Sequence, residues 1–291
     1  LFKEKNVSLL SVVTNPPKRA GRGLKARNTK IHDFCIKSKI NITLNDNLND
    51  IDFKLLLLKM KPDLFIVVSY KIMPESIFSL PKYGSINLHP SLLPKYRGAS
   101  PIQYSLFNGD KSTGISIFKL SSGIDSGKIL FQKAIKIPKG IIFTDLYKIL
   151  SKEGAISIEY SIKNFFKLIN KLKEQRSNKI SKAPKLVKND RIICWDNSDD
   201  YIFNRIRGLS KFPGAITRFN NKDLLIIKAE KSNIASNMPY GTMYLQGKDL
   251  YVSTQTNSIV IKVLKLSGKR EMHSNNFISG YRKFLPQLLH G

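Results

Sequence analysis

The first half of the chain alternates short aliphatic runs with amphipathic stretches, and this pattern predicts strands and helices in turn. The predicted strands are residues 7–14, 63–69, 84–88, 113–120 and 128–137. The predicted helices are residues 31–39, 51–60 and 101–107, with a longer one from about Thr144. Such alternation is typical of an α/β domain built on a parallel sheet. A stripe of apolar residues at helical spacing in the long helix predicts core packing; it comprises Ile158, Ile162, Phe165, Ile169 and Leu172.

The pattern changes after a strongly basic stretch. Residues 163–191 contain ten basic and two acidic residues, and residues 174–185 are predicted to form an exposed linker. An amphipathic helix over residues 199–209 follows, with Asn197 or Ser198 as its cap. The remaining sequence alternates in strand fashion and predicts a small barrel. Its predicted strands are residues 215–219, 224–229, 241–245, 250–254 and 258–266.

Composition narrows the class of protein. The chain has 291 residues, 42% of them hydrophobic and 24% charged, as expected for a globular protein of about two domains. The longest aliphatic or aromatic run, Leu64 to Val68, is far shorter than the roughly 20 residues of a membrane span. The two cysteines, Cys35 and Cys194, provide neither a disulfide framework nor a zinc cluster, which favours a reducing compartment and a cytoplasmic location.

The net charge is unusually high. Lysine and arginine total 49 against 21 acidic residues, a formal charge of +28, and such a field favours polyanionic partners such as nucleic acid. The chain is also rich in Lys, Asn and Ile, as an AT-rich genome would make any protein. Charge alone therefore leaves the partner open.

The densest group of candidate catalytic residues follows the strand predicted at 84–88. Asn87 and His89 are two residues apart and would share one face, and Asp125 follows the next long strand, where parallel neighbours would bring it close. An amide can stabilise an oxyanion, an imidazole can move a proton, and a carboxylate can tune the imidazole. The alternative is that Asn87 forms a turn and His89 merely ends a strand. The four histidines (His32, His89, His273 and His290) are scattered and suggest no metal site.

The residues around this group carry a resemblance. The segment INLHPSLLPKYRGASPIQ (residues 86–103), followed by GIDSG (residues 123–127), closely resembles the folate-dependent formyltransferase family. The resemblance continues through residues 15–23 and 268–272 and covers essentially the whole chain. It implies a Rossmann-like parallel-sheet formyltransferase domain followed by a small OB-like β-barrel domain. The implied division is a catalytic domain at 1–175, a basic linker at 176–190 and a tRNA-binding barrel domain at 191–291.

The resemblance also implies roles for individual residues. Asn87, His89 and Asp125 match the trio that moves a formyl group from 10-formyltetrahydrofolate to an amine, without a metal. Ser91, Leu92, Leu93 and Pro94 match the segment that lines the tetrahydrofolate site. In the expected reaction, Asn87 and a protonated His89 bind the oxyanion, and Asp125 stabilises the imidazolium.

The acceptor needs a separate argument, because the family also formylates a purine-pathway amine and nucleotide-linked amino sugars. A basic segment at 18–30, residues 99–103 and the basic linker before the barrel favour the branch that acts on tRNA. The implied acceptor is the α-amino group of initiator methionyl-tRNA, and a monomer is expected. The candidate tRNA contacts are Lys18, Arg19, Arg22, Lys25, Arg27, Lys30, Arg205, Arg207, Lys211, Lys269 and Arg270, with ordinary surface charge as the alternative. Trp195 is predicted to be a packing residue at the domain junction rather than a base-stacking platform.

Two departures from the family pattern leave alternatives open. Family members begin with a strand, a Gly-Thr/Ser-Pro turn and a helix, so the start at Leu1 leads us to expect an N-terminally incomplete catalytic domain that folds poorly by itself. Pro90 replaces the small residue common in the tRNA branch. A nucleotide-linked amino sugar as acceptor, or an inactive truncated tRNA-binding remnant, remain the competing interpretations.

Overall fold

The computed structural model describes residues 7–19 and 26–290. The strands of the first half are β1 (Val12–Thr14), β2 (Lys18–Arg19), β3 (Ala26–Arg27), β4 (Ile42–Leu44), β5 (Phe65–Val68), β6 (Ser85–His89), β7 (Ser112–Lys119) and β8 (Ile129–Lys136). Its helices are α1 (Lys30–Lys37), α2 (Ile51–Met60), α3 (Glu75–Phe78), α4 (Pro101–Phe107), α5 (Phe143–Lys163) and α6 (Phe165–Ile169). Their order agrees with the predicted alternation of strands and helices.

The main sheet of the first half is mixed rather than wholly parallel. Its strand order is β5-β6-β7-β8; β5 and β6 run parallel, whereas β7 is antiparallel to both of its neighbours. The prediction of a parallel sheet is therefore wrong for β7 and β8. Residues 120–128 between these strands are too few for the crossover of a dozen or more residues that a parallel pair needs. Strands β1 and β4 form a separate parallel pair.

Local signals explain where the helices begin and end. The Thr29 side chain accepts a hydrogen bond from the His32 amide and caps α1. Asp50 caps α2 in the same way through the Asp52 amide. The predicted long helix is interrupted at Asn164, between α5 and α6. Its apolar stripe packs in one hydrophobic core against β6, β7 and β8, which confirms the prediction of core packing.

The second half contains α7 (Asp199–Leu209) and then mainly strands. These are β9 (Ala215–Phe219), β10 (Lys222–Lys231), β11 (Thr242–Gln246), β12 (Asp249–Val252), β13 (Ile259–Leu266), β14 (Met272–His273) and, after α8 (Ser274–Tyr281), β15 (Gln287–Leu288). The sheet is antiparallel with the order β15-β11-β12-β13-β10-β9, and β14 pairs with β13. Ser198 caps α7, one of the two predicted caps. Helix α8 was not predicted, because its sequence SNNFISGY shows no clear apolar periodicity.

The two ends of this antiparallel sheet approach each other. The Arg218 amide in β9 donates to the His290 carbonyl at 2.7 Å, so the edge strand β9 meets the segment that follows β15. Trp195 is buried in the enclosed core, and its Nε1 donates to Thr217 Oγ1 at 3.0 Å. The prediction that Trp195 is a packing residue is confirmed.

Helices α4 and α7 pack together and join the two halves. Phe107 of α4 belongs to the hydrophobic core of the second half. The Arg205 guanidinium lies 4.0 Å from the centre of the Phe107 ring, and its Nη2 donates to the Asp190 carbonyl. Arg207 is only 7% exposed; its Nη2 donates to the Leu106 carbonyl at 3.3 Å, and burial lowers its pKa.

This packing corrects the interpretation of Arg207 as a tRNA contact, because its guanidinium lies inside the junction and is not available to a phosphate group. Arg205 is half-buried, and its guanidinium contacts the Phe107 ring and donates a hydrogen bond to the Asp190 carbonyl. Both residues hold the two halves of the molecule together.

No helix in the described part of the chain is long and apolar enough to cross a lipid bilayer.

Candidate active site

The site is built on β6, an inner strand of the mixed sheet. Asn87 and His89 lie two residues apart on β6 and therefore on one face of the sheet, as predicted. His89 is 4% exposed, so its imidazole is almost fully enclosed. The Oδ1 atom of Asn87 is buried and has no hydrogen-bond partner in the protein. A buried acceptor without a partner is costly, so this oxygen is available to accept a hydrogen bond from a bound molecule, while the amide nitrogen of the same side chain is a donor.

Asp125 reaches this strand from the loop between β7 and β8. Its Oδ2 lies 3.5 Å from His89 Nδ1 and accepts a hydrogen bond from the Gly98 amide at 2.8 Å. The structure thus brings the three predicted catalytic residues together, although not by the predicted route. Because β7 is antiparallel to β6, the end of β7 lies beside Ile86, and the loop must fold back to bring Asp125 to His89.

The hydrogen bonds of His89 define its protonation. Nε2 lies 2.8 Å from the Tyr96 carbonyl oxygen, which can only accept, so Nε2 carries a proton. Burial lowers the pKa of His89, while the Asp125 carboxylate and the bond to Tyr96 act in the opposite direction and only partly offset burial. The direction of this shift favours the neutral ring, whose Nδ1 then carries no proton. The expectation was an imidazolium that binds an oxyanion, whereas here Nε2 is engaged by the Tyr96 carbonyl and burial disfavours the charged ring.

A depressed pKa of His89 makes the stability of the fold depend on pH. The neutral ring is favoured in the native state, so its contribution is fully present above the unfolded pKa of about 6.5 and is lost as the pH falls from there towards the lower native pKa. Between pH 7.5 and 5.5, we expect the free energy of unfolding to fall more steeply in the wild type than in His89→Gln. Urea unfolding of both proteins at the two pH values measures this, and equal slopes would contradict it.

Most of the predicted folate segment lines a cavity, whose wall includes Tyr96 but none of Asn87, His89 and Asp125. Leu92, Leu93 and Pro94 form part of the wall of a cavity of about 250 Å³, together with Tyr96 and Thr113. Ser91 is fully buried instead: its Oγ donates to the Lys95 carbonyl at 2.6 Å, and its carbonyl accepts from Ser116 Oγ at 2.7 Å. Ser91 therefore shapes the turn that presents the other three residues.

Tyr96 forms part of the same cavity wall through its side chain. Its hydroxyl donates to Asp110 Oδ2 at 2.8 Å and accepts from Asn108 Nδ2 at 2.9 Å. Burial and the neighbouring carboxylate raise the pKa of Tyr96 to about 12, so the phenol keeps its proton at neutral pH. The tyrosine thereby fixes the loop whose carbonyl binds His89.

Gly98 is held in a conformation and at a distance that a side chain would disturb. Its φ is +121°, and a Cβ there would come within 2.6 Å of the Ala183 carbonyl oxygen. We expect Gly98→Ala to lower the free energy of unfolding by more than the ~1–3 kcal/mol typical of backbone strain, because the clash adds to that cost, and to reduce activity because Gly98 N binds Asp125.

Gly140→Ala is the matched control for this prediction. Its φ is +71°, but a Cβ would meet no atom within 4 Å, so it isolates the strain from the clash. Denaturant unfolding and a formyl-transfer assay of both variants measure the difference. Equal losses in the two variants would show that the contact with Ala183 does not matter.

The sequence did not reveal the part of the linker that contacts this site. Residues 174–185 are largely exposed as predicted, but Gln175 and Ser181 are half-buried and Ala183 is fully buried against residues 96–100. Gln175 binds Arg97 and the main chain of the Asp125 loop. Its one sequence signal is an uncharged amide within a run of lysines and arginines, and no periodicity marks it.

The other predicted tRNA contacts lie in two regions. Lys18 and Arg27 are exposed and paired across the β2–β3 hairpin, which also includes Arg19 in β2; Lys30 is exposed at the start of α1. Arg22 and Lys25 lie outside the described residues. Lys269 and Arg270 are exposed between β13 and β14, whereas Lys211 pairs with Glu271 at 3.0 Å. Within the described ranges, no cluster of three or more His, Cys, Asp or Glu side chains is suited to hold a metal ion.

Solved structures with the same fold include folate-binding enzymes. An N-formyltransferase from Helicobacter canadensis, in complex with folinic acid and dTDP-3-aminofucose, superposes with a TM-score of 0.61 at 19% identity over 88% of this chain and 91% of its own. HypX from Aquifex aeolicus in complex with tetrahydrofolic acid gives 0.62 at 15% identity, over 85% of this chain and 44% of its own. A methionyl-tRNA formyltransferase from Clostridium thermocellum gives 0.51 at 24% identity, over 69% of this chain and 87% of its own.

Sequence comparison is more specific than the fold. A methionyl-tRNA formyltransferase from Caldicellulosiruptor saccharolyticus is 36% identical over 97% of this chain and 92% of its own length. One from Thermodesulfovibrio yellowstonii is 37% identical over 94% and 88%. The family model for formyl transferase matches residues 2–159, and that for the formyl transferase C-terminal domain matches residues 185–282. Two models that cover both halves, and relatives that match along nearly all of the chain, show that it belongs to the formyl transferase family.

Proposed function

We propose that this protein transfers the formyl group of 10-formyltetrahydrofolate to the α-amino group of initiator methionyl-tRNA, which supplies formylmethionyl-tRNA for translation initiation. The observation that carries the reaction type is the enclosed group of Asn87, His89 and Asp125, with a bare imidazole nitrogen beside a carboxylate. The choice of acceptor is supported by the relatives that match along nearly the whole chain, which are named methionyl-tRNA formyltransferases.

The geometry suits an attack by an amine. The α-amino group has a pKa near 7.7–8.0, so an appreciable fraction is unprotonated at neutral pH. Its nitrogen attacks the formyl carbon, and the carbonyl oxygen becomes an oxyanion to which the Asn87 amide can donate. His89 Nδ1 accepts the proton that the attacking amine loses, and Asp125 stabilises the resulting imidazolium. When the bond between the carbon and the folate nitrogen breaks, the proton is returned to that nitrogen.

We assign the folate co-substrate to the cavity that the predicted folate segment lines. Its apolar wall of Leu92, Leu93 and Pro94 suits a flat ring system. Thr113 is 3% exposed, and its Oγ1 has no hydrogen-bond partner in the protein, so it is one of the polar groups of the wall, with Lys95, Asp110, Ser112 and Lys179. Tyr96 links this wall to the catalytic group, because its side chain lines the cavity and its carbonyl accepts a hydrogen bond from His89.

The antiparallel half of the molecule is assigned to tRNA binding. We infer an OB-like barrel from the approach of β9 to the segment beyond β15, with the first half as its Rossmann-like companion. When the junction arginines and the paired Lys211 are set aside, the proposed phosphate contacts are Lys18, Arg19, Arg22, Lys25, Arg27, Lys30, Lys269 and Arg270. The domain limits at 175 and 190, a monomeric state and a cytoplasmic location stay predictions.

A formyl-transfer assay tests the proposed function. The protein is supplied with 10-formyltetrahydrofolate and charged initiator methionyl-tRNA, with a nucleotide-linked amino sugar as the parallel acceptor. We expect formylmethionyl-tRNA and no formylated sugar. Transfer to the sugar alone would assign the protein to a different branch, and binding of tRNA without transfer would support the inactive remnant.

The exposed basic pair between β13 and β14 provides a direct test of tRNA binding. We expect Lys269→Ala/Arg270→Ala to raise KM for methionyl-tRNA about 10-fold and to leave KM for the folate unchanged, because phosphate contacts supply affinity through counterion release. The salt dependence of kcat/KM should become shallower. Lys152→Ala, exposed on α5, is the control, and an unchanged KM for tRNA in the double variant would reject this surface.

A further inference from the structure

The segment of residues 174–185 runs along residues 96–98, the catalytic loop. The Arg97 amide donates to the Ser181 carbonyl at 2.9 Å, and the Ala183 amide donates to the Arg97 carbonyl at 2.7 Å. Ser181 Oγ also accepts from the Tyr96 amide at 2.9 Å. Residues 96–98 are the stretch that provides the Tyr96 carbonyl to His89 and the Gly98 amide to Asp125. The linker therefore supports both contacts that orient the catalytic pair.

Gln175 makes the second connection between linker and site. Its Nε2 donates to the carbonyl oxygens of Asp125 and Gly127, each at 2.8 Å. Its Oε1 accepts from Arg97 Nε at 3.0 Å and from Arg97 Nη2 at 2.7 Å. The half-buried Gln175 side chain thus connects the Asp125 loop to the catalytic loop through four hydrogen bonds.

The Asp125 loop needs such support. Asp125 has a φ of +47°, a left-handed conformation that non-glycine residues adopt infrequently, and it persists only when neighbouring contacts hold it. The Gly98 amide holds the carboxylate, but the two hydrogen bonds from Gln175 hold the main chain on both sides of Ser126. Without them, the loop has fewer contacts to keep Asp125 Oδ2 beside His89.

We propose that Gln175 is a positioning residue for formyl transfer, which fixes the main chain at Asp125 so that its carboxylate faces His89 Nδ1. This inference rests on the proposed function, and it makes the segment of residues 174–185 a part of the active-site architecture. Gln175 acts through Asp125.

Kinetics of two variants separate the two ends of the Gln175 side chain. Gln175→Ala removes all four hydrogen bonds, whereas Gln175→Glu keeps an acceptor for Arg97 but loses both donors to the loop. We expect both variants to lower kcat by about 10- to 100-fold, the loss typical of a small misplacement, with both KM values within about threefold of the wild type. Asn178→Ala, an exposed amide three residues along the same linker, is the control with unchanged kinetics.

The pKa of His89, measured by NMR titration, distinguishes a positioning role of Gln175 from a merely structural role, which would leave that pKa unchanged. Asp125 is the charged side chain that acts on the ring; Tyr96 contacts it through its carbonyl, and its phenol is turned to Asp110. The Arg97 guanidinium faces Gln175. Because the carboxylate raises the pKa of His89, its displacement in Gln175→Ala should lower that pKa further. The His89 signal is identified by its loss in His89→Gln.

The two measurements decide the inference together. A lower pKa of His89 with reduced kcat supports it. An unchanged pKa overturns it, whether or not kcat falls, because Gln175 would then not position Asp125; a kcat of Gln175→Glu equal to that of the wild type also overturns it. The titration needs no substrate, so a wild-type protein that transfers no formyl group would refute the proposed function while the role of Gln175 is still decided.

Discussion

His89→Gln is expected to lower kcat for formyl transfer by about 10³-fold, within the range of general acid–base catalysis. The Gln amide nitrogen reaches about as far as Nε2 of the imidazole and can still donate to the Tyr96 carbonyl, so the loop keeps its contact. What is lost is Nδ1, the atom that faces Asp125 at 3.5 Å and can bind a proton. Single-turnover and steady-state rates with 10-formyltetrahydrofolate and methionyl-tRNA measure the effect.

The control for this experiment is His290→Asn, since His290 is exposed in the second domain. Its kcat should equal that of the wild type, and both variants should unfold at temperatures close to it. If His89→Gln retained kcat within threefold of the wild type, the assignment of proton transfer to His89 would have to be abandoned.

Phe107→Ala is expected to destabilise the protein by about 3 kcal/mol or more, as is usual when a buried phenylalanine is truncated. The ring is 8% exposed and packs between Tyr104, the Arg205 guanidinium and Gly208, where a Cβ would already come within 2.6 Å of it. Its removal leaves a cavity at the junction of α4 and α7. At roughly 2–4 °C per kcal/mol, the midpoint of thermal unfolding should fall by about 6–12 °C.

Phe166→Ala provides the matched truncation. Phe166 is 65% exposed on α6, so its loss should lower the midpoint by much less. Differential scanning calorimetry of the three proteins also reports whether the two domains unfold together, and we expect the transition of Phe107→Ala to broaden or split. A midpoint equal to that of the wild type would show that the Phe107 ring does not stabilise the packing of α4 against α7.

Much of the secondary structure follows from local pattern. Helix α4 and helix α7 have the predicted limits, because Pro101 and Ser198 mark their starts and the apolar periodicity is regular. Asn220 and Asn221, between the strands predicted at 215–219 and 224–229, form a turn with φ of 47° and 60°. Helix α8 was not predicted, because it packs against the sheet without a regular apolar stripe in its sequence.

The candidate catalytic residues could be named from the sequence, but their arrangement could not. The motif that contains Asn87 and His89 and the later Asp125 points to the chemistry through residue type and spacing. Whether His89 is charged depends on burial and on the Tyr96 carbonyl, neither of which leaves a local signal. The direction of β7 likewise depends on the short connection to β8 and on pairing with β6.

Charged residues show most clearly what the sequence alone does not reveal. By itself, the sequence determined that an α/β half precedes a mainly β half, the formyltransferase resemblance and the candidate catalytic trio, because these depend on local periodicity and on motifs. It could not tell Arg207, which is buried between the domains, from Lys269, which is exposed, since both are cations in a basic chain. Only the tertiary structure decided this, and only it placed Gln175 against Asp125, because contacts between residues 50 positions apart arise from packing and not from any pattern along the chain.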